Sequence, residues 1–184
     1  MPFDAFLKID PGDTGVTVAG ESLDSKHKGE IEILNFSWGA SNPISIGSAT
    51  GGAGAGKLKF KPFIVTKKID LSSAGLFRAC AIGAHFPTAT LTIRKAGGTQ
   101  LEYLVLTFKT VFVTSIQPFG QQLNTSQSLL APVDPSQGSN PLPTEQITFV
   151  YGALGVQYQQ QGSDGKPQGG PVIAGWSQLT NSKT

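Results

Sequence analysis

Polar and apolar positions alternate with a period of two along most of this chain, the pattern of strands with one buried face. A short apolar run at residues 6–9 stops at the turn sequence Asp10-Pro11-Gly12-Asp13. Residues 29–38 alternate in two phases: Ile31 and Ile33 share one parity, Phe36 and Trp38 the other, and Leu34-Asn35 sits at the change. One extra residue there, a β-bulge, would hold all four large side chains on one face. Residues 39–56 are a Gly/Ala/Ser/Asn stretch with few anchoring side chains, and the alternation resumes at Lys57-Leu58-Lys59-Phe60-Lys61. Further strands are predicted over 88–94, 101–116 and 146–158, with a last short one at 169–176. The longest carries Leu104, Leu106, Phe108 and Phe112 on one parity and Tyr103, Val105, Val111 and Val113 on the other. A strand apolar on both sides is covered on both sides, here by a core and by a helix or a neighbouring subunit.

One segment breaks the period of two. At about 100° per residue, Leu76, Phe77, Cys80, Ala81 and Ala84 fall within an arc of roughly 140°. This predicts a single helix over 72–85, with Asp70 or Ser72 as N-cap, ended by Gly83 and Pro87. A helix with one apolar stripe lies against a sheet. The loop-like stretches 39–56 and 117–143 both have strands on either side that are needed to complete one core. Residues 1–184 therefore read as a single, mainly β domain.

Composition sharpens this in one respect. Charged residues are only 14% of the 184, well below the usual quarter, and the net charge is +2. So low a charge fits a surface partly buried against copies of itself, and it leaves no nucleic-acid footprint. The single cysteine, Cys80, excludes an internal disulfide and is compatible with a reducing compartment. The N-terminal residues lack a basic segment followed by an apolar run, and no stretch approaches the ~18 apolar residues of a membrane span. The expectation is a protein folded in the cytoplasm, without membrane insertion, that leaves the cell only through a machine that reads no such signal.

The chemistry-bearing residues argue against an enzyme. Gly51 to Leu58 nearly spells a phosphate-binding loop, but Leu58 stands where the magnesium-binding hydroxyl belongs, and a strand follows in place of a helix. His27, between Lys26 and Lys28, has no second His or Cys at metal spacing and reads as an exposed turn or an interface residue. His85 reads as a cap for the carbonyls at the helix end. Cys80, on the apolar stripe, reads as a small buried hydrophobe. The carboxylates Asp24, Glu30, Glu32, Asp70, Glu102 and Glu145 lie on separate elements, and nothing in the sequence pairs them for acid–base work. No catalytic residue, metal or cofactor is expected. Lys57, Lys59, Lys61, Lys67 and Lys68 form the one charge cluster. The first three alternate, which gives either a solvated face or blunted strand edge, or a basic stripe facing a lumen, an acidic partner or the next ring.

The segment Gly20-Glu21-Ser22-Leu23-Asp24-Ser25-Lys26-His27-Lys28-Gly29-Glu30-Ile31-Glu32-Ile33-Leu34, followed by Phe36-Ser37-Trp38-Gly39, closely resembles the signature of the hemolysin-coregulated (Hcp) family of type VI secretion. Lys67-Lys68-Ile69-Asp70 leading into Ser72, Leu76 and His85 is similar to that family's strand-to-helix passage. Gly169-Gly170-Pro171-Val172 with Ala174-Gly175-Trp176 is similar to its C-terminal strand.

The resemblance implies two sheets closed into a β-barrel with one α-helix packed on its side, as in phage tail tubes. It implies a homohexameric ring, stacked into a hollow tube that sheath contraction expels. The partners it implies are the contractile sheath, a spike protein and small secreted effectors held in the lumen. Candidate subunit or ring-stacking contacts on this reading are Lys26, His27, Lys28, Ser41, Asn42, Ile46, Gly52, Gly54 and Lys57, with Lys57, Lys59 and Lys61 as a lumen- or partner-facing stripe. The loops at 39–56 and 126–143 are where this chain departs from the family pattern. The alternatives are a monomeric β-barrel that binds a small ligand and, less favoured, a small hydrolase built on His27 or His85.

Overall fold

The computed structural model describes residues 3–45, 54–95, 100–120, 143–162 and 165–184. Strands β1 (Phe3–Asp10), β2 (Ile31–Ser41), β3 (Ile44–Ser45), β4 (Gly54–Ala55) and β5 (Lys59–Lys68) precede helix α1 (Ser72–Ile82). Strands β6 (His85–Lys95), β7 (Glu102–Phe119), β8 (Thr144–Tyr158), β9 (Val172–Ser177) and β10 (Ser182–Lys183) follow it. Eight strands form one antiparallel sheet in the order β10-β9-β8-β5-β2-β1-β6-β7, and β7 also pairs with β8, so hydrogen bonding runs round a closed ring of six. The tiny β3–β4 pair stands apart.

The long strands β7 and β8 turn this ring into two layers. Their first contact, residues 104–113 with 149–158, belongs to a layer with β6, β1 and β9. A register shift between Val113 and Ser115 then bends both strands, and 115–119 with 144–148 join a second layer with β5 and β2. Bulges are how strands pass from one sheet to another. β1 and β2 close the other corner through only two residue pairs, Phe6 with Glu32 and Leu7 with Ile31.

The interior is filled by side chains. Phe63 stacks on Phe108 at 4.2 Å and on Phe149 at 5.6 Å between ring centroids, and all three are fully buried with Leu7, Ile31, Leu91, Ile93, Leu106 and Ile147. Tyr151 closes one end with its ring edge-on to Phe108, and burial pushes its hydroxyl up to about 12. The phase change expected in β2 is present: the β2–β5 register shifts between Ile33 and Asn35, and again between Ser37 and Gly39. Ile31 and Ile33 are buried and Phe36 packs on the core, but Trp38 falls within the second shift and is 37% exposed.

The helix ends at Gly83 as expected, but its N-cap is Leu71, which makes no side-chain cap, in place of Asp70 or Ser72. The Asp70 carboxylate accepts the Ser72 amide at 2.9 Å, so Asp70 and not Ser72 supplies the side-chain acceptor at the start. Gly83, at φ +64°, closes the other end in the left-handed conformation that glycine tolerates. The buried side is Ser72, Leu76 and Ala79, with Cys80 packed on the core. Gly75 lets the helix approach the 16–18 segment, since a Cβ there would sit 2.4 Å from the Thr17 carbonyl oxygen. Two further expectations fail here. Phe77 is 67% exposed, because the stripe is narrower than the sequence arc. His85 caps nothing: it opens β6 and stacks on Phe112, its partner across the ladder, at 5.6 Å.

Candidate functional site

In the layer β2-β5-β8-β7, two strand edges are left without a partner among the described residues, while the other layer keeps an open edge at β9, which meets β10 only at Trp176 and Ser177. β2 pairs with β5 from Ile33 to Ser41, but its other side meets β1 only at residues 31–32, below this stretch. β7 pairs with β6 only as far as Phe112, so residues 113–119 have β8 on one side and no described strand on the other. These edges lie at opposite ends of the layer β2-β5-β8-β7. An unpaired edge is a row of amide and carbonyl groups that templates pairing with another chain. Each edge strand carries a register shift near the start of its open stretch, between Ile33 and Asn35 in β2 and between Val113 and Ser115 in β7, and Pro118 stands near the end of β7. Apolar side chains flank both: Phe3, Leu23 and Leu34 are 41%, 91% and 49% exposed around the opening between β1 and β2, and Phe119 is 42% exposed on β7.

The outer face of this layer is free of charge over its central rows. Asn35, Thr66, Gln146 and Gln117 lie side by side across the four strands, and so do Ser37, Ile64, Thr148 and Ser115. Lys59 and Lys61 are exposed on β5 where it runs past the barrel, and Lys57 is exposed just before it. Lys67, expected in the same charge cluster, is instead fully buried. Its ammonium donates to Asp70 Oδ1 at 2.6 Å, Glu145 Oε1 at 2.8 Å and the Lys68 carbonyl at 2.9 Å. Ser73 Oγ donates to Glu145 at 2.7 Å and accepts the Asp70 amide. Every donor of this buried cation is used, the condition under which a buried charge is tolerated. The cluster ties β5, α1 and β8 together behind the uncharged rows.

The 20–30 segment is a compact loop laid over the outer side of β1. Asp24 Oδ1 accepts the amides of Lys26 and His27 at 2.9 and 3.2 Å, and Gly29, at φ +73°, donates to Ser22 O at 2.8 Å. A Cβ on Gly20 would lie 2.2 Å from Glu30 O, so only glycine fits this crossing. His27 is buried, not exposed as the sequence reading had it. Its ring stacks on Phe6 at 4.4 Å, Nδ1 donates to Glu30 Oε2 at 2.9 Å, and Nε2 faces Glu102 Oε1 at 3.6 Å. Arg94 covers the same Phe6 at 4.8 Å and is bound by Asp24, by Asp4 at 3.2 Å and by Gln100 at 3.1 Å. The Arg94 hydrogen bond first, then the Lys26 amide, hold the Asp24 carboxyl at about 2, well below its ordinary value; the same pairing raises Arg94.

The carboxylates that seemed unpaired in the sequence thus gather in clusters, Asp70 with Glu145 and Glu30 with Glu102. Each is organised around a cation or an imidazole, and in the first both carboxylates also accept a serine hydroxyl, Ser72 on Asp70 and Ser73 on Glu145. Of the candidate contact residues, Lys26 and Lys28 are exposed on the loop, Ser41 ends β2 opposite Lys59, Asn42 is exposed beyond it, and Gly54 pairs with Ser45. Ile46 and Gly52 lie outside the described residues, as do most of the 126–143 segment and the centre of the 39–56 loop. What sequence reading missed are the two edges, because which side of a strand stays unpaired is a matter of register between distant segments.

Comparison with known proteins accords with this geometry. Residues 6–158 match the family model described as type VI secretion system effector, Hcp. The chain is 42% identical over 178 residues to protein hcp1 of Pseudomonas aeruginosa, covering 96% of each. It is similar to a solved structure of a type six secretion system protein, at 34% identity and a TM-score of 0.82 over the whole of both chains. It is also similar to Hcp1 from Salmonella typhimurium, at 29% identity and a TM-score of 0.73, again over all of both.

Proposed function

The chain belongs to the Hcp family of type VI secretion proteins, and we propose that it serves there as the repeating, non-catalytic subunit of a hollow tube. The observation that carries this reading is the pair of free edges at opposite ends of one four-strand layer. If the β2 edge of one copy pairs with the β7 edge of the next, the layer continues from subunit to subunit. That contact is heterologous, so it repeats until it closes a ring, which the family resemblance sets as a hexamer. Leu23, Leu34 and Phe3 then meet the Phe119 end of the neighbour, and exposed apolar area at both sides of the seam is buried together.

The uncharged rows Asn35-Thr66-Gln146-Gln117 and Ser37-Ile64-Thr148-Ser115 would line the channel of such a ring. A neutral, hydrogen-bonding wall holds a small secreted effector without selecting it by charge. Rings stack into a tube within a contractile sheath and beneath a spike, through the 39–56 loop and Ser41, Asn42, Ile46, Gly52, Gly54 and Lys57. The subunit folds in the cytoplasm and leaves with the tube. The rival reading, a monomeric barrel with a lined cavity, is disfavoured by the Phe63, Phe108 and Phe149 rings that fill the interior. Negative-stain electron microscopy of the purified protein tests the proposal. Six-fold rings with a central hole are expected, and only monomer-sized particles, with a monomer mass by light scattering at high concentration, would overturn it.

A further inference from the structure

The loop that carries the family resemblance does more than cover β1. In Lys26-His27-Lys28 the middle side chain is driven inward, anchored on Phe6 and Glu30, so its two neighbours are turned outward. On the β1 strand beneath, Phe6 and Lys8 share a face, because side chains two apart on a strand point the same way. Lys8 is therefore brought to the loop that stacks on Phe6. The three ammonium-bearing residues line one pocket of about 310 Å³, whose walls include Val18, Ala19, Ser25, Gly29 and Glu30.

The charge balance of this pocket is one-sided. None of Lys8, Lys26 and Lys28 makes an ion pair among the described residues, in contrast to Lys67 and Arg94, which are each held by two carboxylates. The one carboxylate lining the pocket, Glu30, is turned towards His27. Three like charges held near one another repel, and a multivalent anion relieves that repulsion for all of them at once. Lysines bind phosphate as point charges and require no planar geometry, which suits three flexible stems converging from two segments. The pocket is too small and too polar for a large apolar ligand.

We infer that Lys8, Lys26 and Lys28 form a binding site for a polyvalent phosphate anion, on the side of the barrel where the 20–30 loop crosses β1. The site belongs to the single subunit and stands whether or not the ring forms. Its occupation clamps the loop to β1 through charge, in addition to the His27–Phe6 stack. Binding falls with ionic strength, as it does for exposed charges separated by less than a Debye length.

The probe is pyrophosphate, titrated into the full-length protein with ionic strength held constant by sodium chloride. The expected result is a saturable rise in thermal midpoint together with amide shifts at Lys8, Ser25 and Lys28. Both are lost in K26A/K28A and kept in K57A/K59A/K61A, which removes three exposed lysines elsewhere. All these side chains are exposed, so both variants fold, and K8A alone gives an intermediate response. A midpoint that follows ionic strength alone, or a pyrophosphate response unchanged in K26A/K28A, would overturn the site.

Discussion

Along β7, residues 104–112 have a strand on either side, whereas residues 113–119 have a described strand on one side only. The same contrast holds for the layers these halves belong to. In the first, β1, β6, β7 and β8 are hydrogen-bonded in succession, and their inward side chains Leu7, Leu91, Ile93, Leu106 and Phe108 are fully buried. In the second, β2, β5, β8 and β7 pair internally but end in two open edges, and the outer face presents Ser, Thr, Asn and Gln. The first layer supplies much of the buried core and stays open only along β9, where the short β10 covers Trp176 and Ser177. The second layer ends in two open edges, and it is the layer to which the proposed assembly is assigned. One strand can thus be paired on both sides along one stretch and offer an open edge along another.

Changes in the buried interior of either layer reduce folding stability. Phe108→Ala removes a buried ring that touches Phe63 and Tyr151 and is expected to cost about 3–5 kcal/mol in denaturant unfolding. Lys67→Met leaves Asp70 and Glu145 buried against each other without their cation, and a loss of about 3–5 kcal/mol is expected. Adding Glu145→Gln to it should recover part of that loss, and a single variant as stable as the parent would remove the cluster's role.

Changes at the open edges should do the reverse. Leu23 is almost fully exposed, so Leu23→Asp is expected to move unfolding stability by no more than about 0.5 kcal/mol. Yet it places a charge at the seam, and sedimentation should report the loss of rings. Rings that survive Leu23→Asp would place the seam elsewhere.

The smallest expected effect concerns acid. Asp24 is held at about 2 in the folded protein against an ordinary 3.8, so it binds its proton less readily folded than unfolded. Its contribution to stability is complete above pH 3.8 and is lost as pH falls through 2. Asp24→Asn should flatten that part of the stability profile, and an unchanged profile would show that the Arg94 pairing does not act on folding.

Much of the strand framework was legible in the sequence. Alternation placed its strands, and the phase change at Leu34 announced the bulge that the β2–β5 register contains. Capping chemistry located the helix to within a few residues. What was not legible depends on partners far along the chain. His27 and Lys67 look like surface residues because they are polar and lie among lysines. They are buried because Phe6 and Glu102, or Glu145, come from elsewhere to meet them, joining the near neighbours Glu30 and Asp70. Phe77 erred the other way: a helical arc shows which residues share a side, but not how much of that side the sheet covers. The open edges left no mark in composition beyond a low charge content.

Hydrogen exchange, compared between assembled protein and the Leu23→Asp variant, tests the central claim most directly. If copies join through the β2 and β7 edges, amides within 33–41 and 113–119 become slow together on assembly, while those of β6 between its two partners are slow in both. Edge amides that exchange equally fast in rings and in monomers would contradict it.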